Sequence, residues 1–364
     1  MVFSKFFGID KTPIAGLEIG QDFIVFLKLI KEENGFAVDN LIQIPTPPNA
    51  VSGGNINDPE GIGEVVRSIL DRNEIETIKV NLSLPSNVPF IRTVTLPDLP
   101  YEELKVIAKD EASNHIPFSI SDANVDFVLL EESRRVESGN KRIIDVLIVA
   151  VPKSVAQKYV DVADAAKIKI NTIEVATYSM IKGLANAGQI KPTKDIVVSV
   201  LIGFDTTDIT LVSNGFPLFS HTAPVGKKNI IDTISTGLGL SQMETLNFIP
   251  QVAILVPGFA TTNDPQIVKA ATLVRMIYNT ISTEISKAIQ FYQSQKAEPP
   301  EILKIVLGGP GMCIKNAEKF IGNRLKIDTE LADSFNNINV PPEQLENYDT
   351  PTLITSVGLA LKGL

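Results

Sequence analysis

The chain has 364 residues, 44% of them apolar and 21% charged, and a formal net charge of −9. That is material for two or three domains with real cores, and the acidic balance excludes broad affinity for nucleic acid or an anionic membrane surface. Cys313 is the only cysteine, and His115 and His221 are the only histidines, which excludes an internal disulfide or cysteine-clustered metal site and argues against a histidine metal centre or acyl-transfer triad.

The first residues place Phe3, Phe6 and Phe7 beside Lys5 and Lys11. So short an aromatic tip holds a membrane weakly, and local packing is expected instead. No leader pattern is visible and no apolar run approaches the roughly 20 residues of a membrane helix, so the chain reads as cytosolic with no transmembrane segment. Residues 14–44 read as three successive strands, the last closed by Pro45, Pro47 and Pro48. Asp58 and Pro59 then begin a helix through Ile62, Val65, Val66, Ile69 and Leu70, with proline at its favoured first position. Thr77 to Leu84 gives a fourth strand. Three strands, a helix and a strand is the order of a ribonuclease-H-like lobe. The second half repeats it, with strands over 196–202, 206–212 and 215–222, helices after Pro224, and a strand from Ile302 to Leu307.

A different block separates the two halves. Pro85 to Val94 reads as extended, and Leu99-Pro100-Tyr101-Glu102-Glu103 opens a helix whose acidic first turn suits the helix dipole. Strands are expected at Val125–Leu130 and Ile143–Val149, separated by the charged loop Glu131–Arg142, with a helix from Val155 to Ala166. The block reads as a small αββ insertion, or else as a continuation of the first lobe. Further on, apolar residues from Ile267 to Phe291 recur at mixed spacings of three and four, as in a long helix packed along one face. Cys313 follows Gly311-Met312 at an expected helix start, where a thiol can be acidified, although plain packing is the simpler role. The polar stretch Asn336–Pro351 leads into a short apolar helix over Thr352–Leu361.

Two short stretches repeat each other. Ile19-Gly20-Gln21-Asp22 and Ile202-Gly203-Phe204-Asp205 each join two β-prone runs through a Gly-containing hairpin. A glycine leaves nearby backbone N–H groups unshielded by a Cβ, so a phosphate can approach. One such hairpin is most simply structural. One in each half suggests duplicated lobes clamping a nucleotide.

The inserted block carries Leu96-Pro97-x-Leu99-Pro100-x-x-Glu103-Leu104, then Glu111-Ala112, Ile116-Pro117-Phe118, Asp126-Phe127 and Asp145–Lys153. Gly215-Phe216-Pro217-Leu218-Phe219 leads to Pro224-Val225-Gly226, Leu307-Gly308-Gly309 follows a strand, and Ser356–Leu361 closes the chain. In this order, over nearly the whole length, the motifs resemble the PilM family: actin-like cytoplasmic proteins of type IV pilus assembly, related to the cell-division protein FtsA. The resemblance implies an α/β, actin-like fold of duplicated ribonuclease-H-like lobes, with a small inserted α+β subdomain in the first. Residues 1–85, 154–190 and 341–364 would form the first lobe, 86–153 the insert, and 191–340 the second lobe.

It also implies ATP and magnesium between the lobes. Carried over by position, Gly20, Gln21 and Asp22 form one phosphate hairpin, and Gly203, Asp205, Thr206 and Thr207 belong to the other. Gly308 and Gly309 lie beneath the adenosine, and Glu244 accepts from the ribose. Family members usually carry Asp before each Ile-Gly, holding magnesium through water; here Glu18 and Leu201 stand there. Glu18 keeps the charge, Leu201 cannot bind an ion, and Asp205 or Asp22 can substitute. Gln21 and Asp22 replace serines, and Asp22 repels a phosphate unless magnesium intervenes. Asn247 replaces a common lysine, and Pro310 removes an amide donor beside Gly309. Lys227 and Lys228 can compensate, or can simply be a solvated helix end.

The leading expectation is therefore a cytoplasmic scaffold, peripheral at the inner membrane, with weak or absent ATP hydrolysis. The resemblance places the basic N-terminal tail of a PilN-like inner-membrane protein in a groove between the first lobe and the insert. Leu99, Leu104 and Phe118 would give apolar contact there and Glu102, Glu103 and Glu111 charge. The pilus motor ATPase complex would be the next partner. The alternative is an active ATPase or phosphotransferase, which needs a well-held magnesium and a carboxylate base. Filament formation is a third expectation, for which the sequence offers no clear surface.

Overall fold

A computed structural model describes residues 12–33, 35–137, 139–254, 264–296, 298, 300–341, 345 and 348–364. Phe3, Phe6, Phe7, Lys5 and Lys11 lie outside these residues.

The chain opens with a meander of β1 (Ile14–Ile19), β2 (Phe23–Glu32) and β3 (Gly35–Pro45), followed by the small hairpin β4 (Val51–Ser52) and β5 (Asn55–Ile56). Next comes α1 (Pro59–Arg72), started as the sequence predicts: the Asp58 carboxylate accepts from the Gly61 N–H and Pro59 holds the first position. Its apolar stripe, Ile62, Val66, Ile69 and Leu70, is buried. Then β6 (Lys79–Leu84) pairs parallel with β1.

The insert consists of β7 (Phe90–Pro97), α2 (Tyr101–Ser113), β8 (Ala123–Glu137) and β9 (Lys141–Pro152), with β9 central in a three-stranded antiparallel sheet. Its core joins Leu96, Leu104, Phe127, Ile144, Val146 and Ile148. The expected loop Glu131–Arg142 is instead mostly strand. Arg134, Arg135, Glu137, Lys141 and Arg142 are exposed on this hairpin, where Arg135 pairs with Asp145 at 3.1 Å across the ladder, so polarity marks solvent exposure there and not an end to pairing. The extended stretch predicted from Pro85 begins pairing only at Phe90.

The chain returns through α3 (Lys153–Ala165), β10 (Lys169–Val175) and α4 (Ala176–Asn186). The second lobe starts with β11 (Ile196–Ile202), β12 (Thr207–Ser213) and β13 (Phe216–Ala223). These are followed by α5 (Lys227–Leu238), α6 (Gln242–Phe248), α7 (Pro265–Ser294), β14 (Ile302–Gly308), α8 (Ala317–Leu325) and β15 (Thr329–Leu331). A two-residue β16 (Ile338–Asn339) and the helix Ile354–Ala360 complete the chain. The long α7 buries Ala270, Val274, Tyr278, Ile281 and Ile285 along one face, as its periodicity requires.

The first sheet runs β10-β6-β1-β2-β3-β16 and the second β13-β12-β11-β14-β15. In each, a three-stranded antiparallel meander continues into two parallel strands from its first member. The duplication is therefore one of topology, strand for strand. Because β16 pairs with β3, Ile338 and Asn339 sit in the first sheet, just before the boundary expected at 341.

Helix α4 and the helix Ile354–Ala360 lie at the seam between the lobes. Ile354 packs with Met180, Leu184, Val197, Leu201 and Val306, against the second sheet. Leu353, Val357 and Ala360 pack with Val25, Leu27 and Leu29 of the first. The two helices cross closely: a Cβ on Gly358 would lie 1.7 Å from the Ser179 carbonyl oxygen, and one on Gly183 would lie 2.6 Å from that of Ile354.

Candidate functional site

The β1–β2 and β11–β12 turns face each other across a cleft with a cavity of about 480 Å³. Each turn closes on itself. The Gly20 N–H donates to the Phe23 carbonyl at 2.9 Å, and the Gly203 N–H donates to the Thr206 carbonyl at 2.7 Å. A Cβ at these positions would come within 2.9 Å and 3.0 Å of the same oxygens. The glycines are thus required by hairpin closure, and their own amides are already spent. Helix α5 starts beneath the second turn, with the Lys227 and Lys228 amides donating to the Gly203 and Phe204 carbonyls.

Among the described residues, five carboxylates line this cleft, Glu18, Asp22, Asp205, Asp208 and Asp349, against one ammonium, that of Lys227. Lys227 reaches across from α5 to Asp22 of the first lobe, 2.6 Å away, both side chains nearly buried. The same ammonium lies 5.6 Å from the centre of the Phe23 ring. Burial pushes the Asp22 carboxyl up and Lys227 opposes that rise; its Oδ1 is buried and has no hydrogen-bond partner. A second bridge joins the Gly53 N–H to Asp205 Oδ2 at 3.3 Å.

The carboxyls that their surroundings raise furthest are Glu18 and Asp208. Burial raises Glu18 to about 7, against hydrogen bonds from the Ser356 hydroxyl and amide. Burial likewise raises Asp208 to about 6, against hydrogen bonds from Thr222 and Ser86 and the charge of His221. Asp208 stands directly opposite Leu201 in the β11–β12 register, and directly opposed residues in an antiparallel pair share a face. The acid absent from residue 201 is therefore present one strand over. Sequence reasoning missed it, although the hairpin count places residue 208 opposite 201 once the turn is fixed at Gly203–Thr206. Asp349 came from a polar stretch with no periodicity to read.

Gly20, Gln21, Asp22, Gly203, Asp205, Thr206, Lys227 and Glu18 gather around the cleft. Others do not. Thr207 is fully buried and its hydroxyl donates to the Val225 carbonyl at 2.7 Å, so it faces the protein. Glu244 is exposed on α6 and closes a capping box on Ser241, which uses its carboxylate within its own helix. Gly308 and Gly309 are buried, packed against Ile354 and Met180 and against Ile202 and Leu201; only Pro310 of that turn reaches the cleft. Lys228 is exposed and pairs with Asp232 at 2.9 Å. Asn247 is exposed on α6. Cys313 precedes α8 by several residues, and burial pushes its thiol up to about 11, the reverse of an activated cysteine.

On the insert, Glu102 and Glu103 are exposed on the first turn of α2. Leu99 and Phe118 are half-buried, and Glu111 pairs with His115 at 3.0 Å. Leu104 is completely buried in the insert's own core, which removes it from any docking surface.

Two matching lobes with facing hairpins define the class: an actin-like protein. The sequence family described as Type IV pilus assembly protein PilM matches residues 16–364, and the chain belongs to it. The fold is similar to that in the structure titled a PilM-PilN type IV pilus biogenesis complex, with TM-score 0.81, 19% identity, and 97% of this chain and 98% of that chain covered. It is also similar to the ethanolamine utilization protein EutJ from Carboxydothermus hydrogenoformans, with TM-score 0.55, 14% identity, and 96% and 89% covered. A third similar structure is MreB 5 of Spiroplasma citri bound to AMPPNP, with TM-score 0.55, 12% identity, and 96% and 95% covered. Among the described residues no helix is long and apolar enough to cross a membrane.

Proposed function

We propose that this chain is a cytoplasmic scaffold of type IV pilus assembly that binds ATP with magnesium between its lobes and docks the tail of a PilN-like inner-membrane protein. The observation that carries the nucleotide reading is the pair of facing hairpins over one cleft. Oxygen donors suit magnesium, which keeps several waters and binds through one or two carboxylates plus phosphates. No three metal-ligating side chains gather among the described residues, and such a water-mediated site needs none. Glu18 and Asp208, one from each lobe, are the carboxylates that would hold it; Asp205 is already engaged by Gly53. When bound, magnesium supplies positive charge to the phosphates. The turn amides beyond each glycine and the Thr206 hydroxyl would donate to phosphate oxygens.

For the partner, the support is family membership and the acidic first turn of α2, Glu102 and Glu103, which follows half-buried Leu99, with half-buried Phe118 beyond the helix's other end. A basic tail seated there would link the chain to the inner membrane and, through the assembly, to the pilus motor ATPase complex. The test is fluorescence anisotropy with a labelled synthetic N-terminal peptide of the PilN-like protein. Binding at low salt that falls several-fold in Glu102→Lys/Glu103→Lys supports the docking; no binding at low salt refutes it.

An ATPase or phosphotransferase reading rests on Asp208, whose carboxyl is held at about 6 inside the cleft, in the range suited to proton transfer near neutrality. Phosphate release above background that disappears in Asp208→Asn would establish it.

A further inference from the structure

Lys227 is the only lysine or arginine among the described residues lining the cleft, so it is the one side chain there that can neutralise a phosphate by charge. It is not free to do so. Asp22 holds it at 2.6 Å, and both groups are nearly shielded from water. The carboxylate comes from the β1–β2 turn of one lobe and the ammonium from the first residue of α5 in the other. Their bond therefore ties the lobes together as well as occupying the cation. The second oxygen of Asp22 has no partner, so Lys227 is the main support of this carboxylate. A buried charge left by its only partner is strongly disfavoured. Asp205 and Asp349 line the same space, so a free polyanion meets like charge on several sides.

We infer that Asp22 is a built-in competitor for the nucleotide's phosphates, a clasp that holds Lys227 and closes the two lobes on each other. The clasp rests on the reading of the cleft as a nucleotide site. A phosphate group gains the full charge of Lys227 only by displacing Asp22, since an ammonium shared between the two is already largely neutralised by the carboxylate; the displaced carboxylate then needs a new counter-charge, which a divalent cation brings in with the nucleotide. Affinity for ATP without divalent cation is accordingly negligible, and affinity for its magnesium complex is held down by residue 22.

The test uses the full chain with Asp22→Ser, which cannot reach Lys227, and Lys227→Met, which removes the cation. Binding of fluorescent mant-ATP is measured with and without magnesium. Asp22→Ser is expected to bind the magnesium complex at least about tenfold more tightly than the parent, each decade being about 1.4 kcal/mol, and Lys227→Met more weakly. Hydrogen exchange is followed without nucleotide at the β1–β2 turn and at Val51–Asn55, whose Gly53 amide crosses to Asp205. Both segments are expected to exchange several-fold faster in either variant, and no faster in the double variant. Equal mant-ATP affinity in Asp22→Ser and the parent, or exchange unchanged by both substitutions, overturns the clasp. If no protein binds nucleotide at millimolar concentration, the nucleotide reading fails and competition with it; faster exchange then still upholds the lobe closure by Asp22 and Lys227.

Discussion

Replacing Glu18 by glutamine should flatten the dependence of stability on pH. In the folded chain burial raises the Glu18 carboxyl from 4.5 to about 7. The folded state thus holds this proton more tightly than the unfolded state does. Its contribution to stability is fully present below pH 4.5 and is lost as pH rises through about 7. At about 1.4 kcal/mol per pH unit, the loss approaches about 3 kcal/mol by pH 8. Glutamine has the shape of the protonated acid and can still accept from the Ser356 hydroxyl, so the variant keeps the low-pH arrangement throughout. Urea unfolding of both proteins at intervals from pH 4.5 to 8 reads the difference. The two curves should meet at the acid end and separate between pH 5 and 7, with the variant about 2–3 kcal/mol more stable at pH 8. Asp208 titrates at about 6 in both proteins and cancels from the comparison. Parallel curves over the whole range would refute the reasoning, because they would mean that Glu18 ionises without cost.

Restoring the acid at the second hairpin with Leu201→Asp should destabilise the chain by about 2–4 kcal/mol in urea unfolding. Leu201 packs in the seam cluster with Val306 and Ile354, and the new charge would stand opposite Asp208. Gly358→Ala forces a methyl into the Ser179 carbonyl and should cost about 3 kcal/mol or more, read as a lowered thermal midpoint. Thr207→Val removes the hydroxyl that donates to Val225. It should cost about 1 kcal/mol of stability, since it strands one buried acceptor, and should leave mant-ATP affinity unchanged, whereas Thr206→Val should weaken that affinity.

The duplicated lobes were legible because their strands are long, apolar and bounded by glycine or proline, and because α1 announces itself with Asp58 and Pro59. Shorter pieces were not. β15 and β16 are three and two residues long and exist only because a neighbouring edge accepts them. β10 alternates polar and apolar residues on a half-buried edge, a pattern the sequence reading left unassigned. At the site, the residues around the two turns could be placed by position, since a hairpin fixes its own geometry. Glu244 could not, since its partner Ser241 lies one helical turn away and the capping box is a local alternative of equal chemical sense. Thr206 and Thr207 are adjacent and alike, yet Thr206, still in the turn, lines the cleft, while Thr207, the first residue of β12, turns its hydroxyl inward to Val225. The clasp between Asp22 and Lys227 joins groups from opposite halves of the chain, and no local pattern could announce it.

The seam has a bearing on how this molecule is made. The first sheet gains its outer strand from Ile338 and Asn339, and its underside is covered by Leu353, Val357 and Ala360. A ribosome must therefore deliver the chain as far as Ala360 before the first sheet has all its packing partners. Such distant pairings are slow to form, and partly assembled sheets expose their edges meanwhile. In sequence the second lobe lies between two parts of the first, and the helix Ile354–Ala360 packs against the sheets of both.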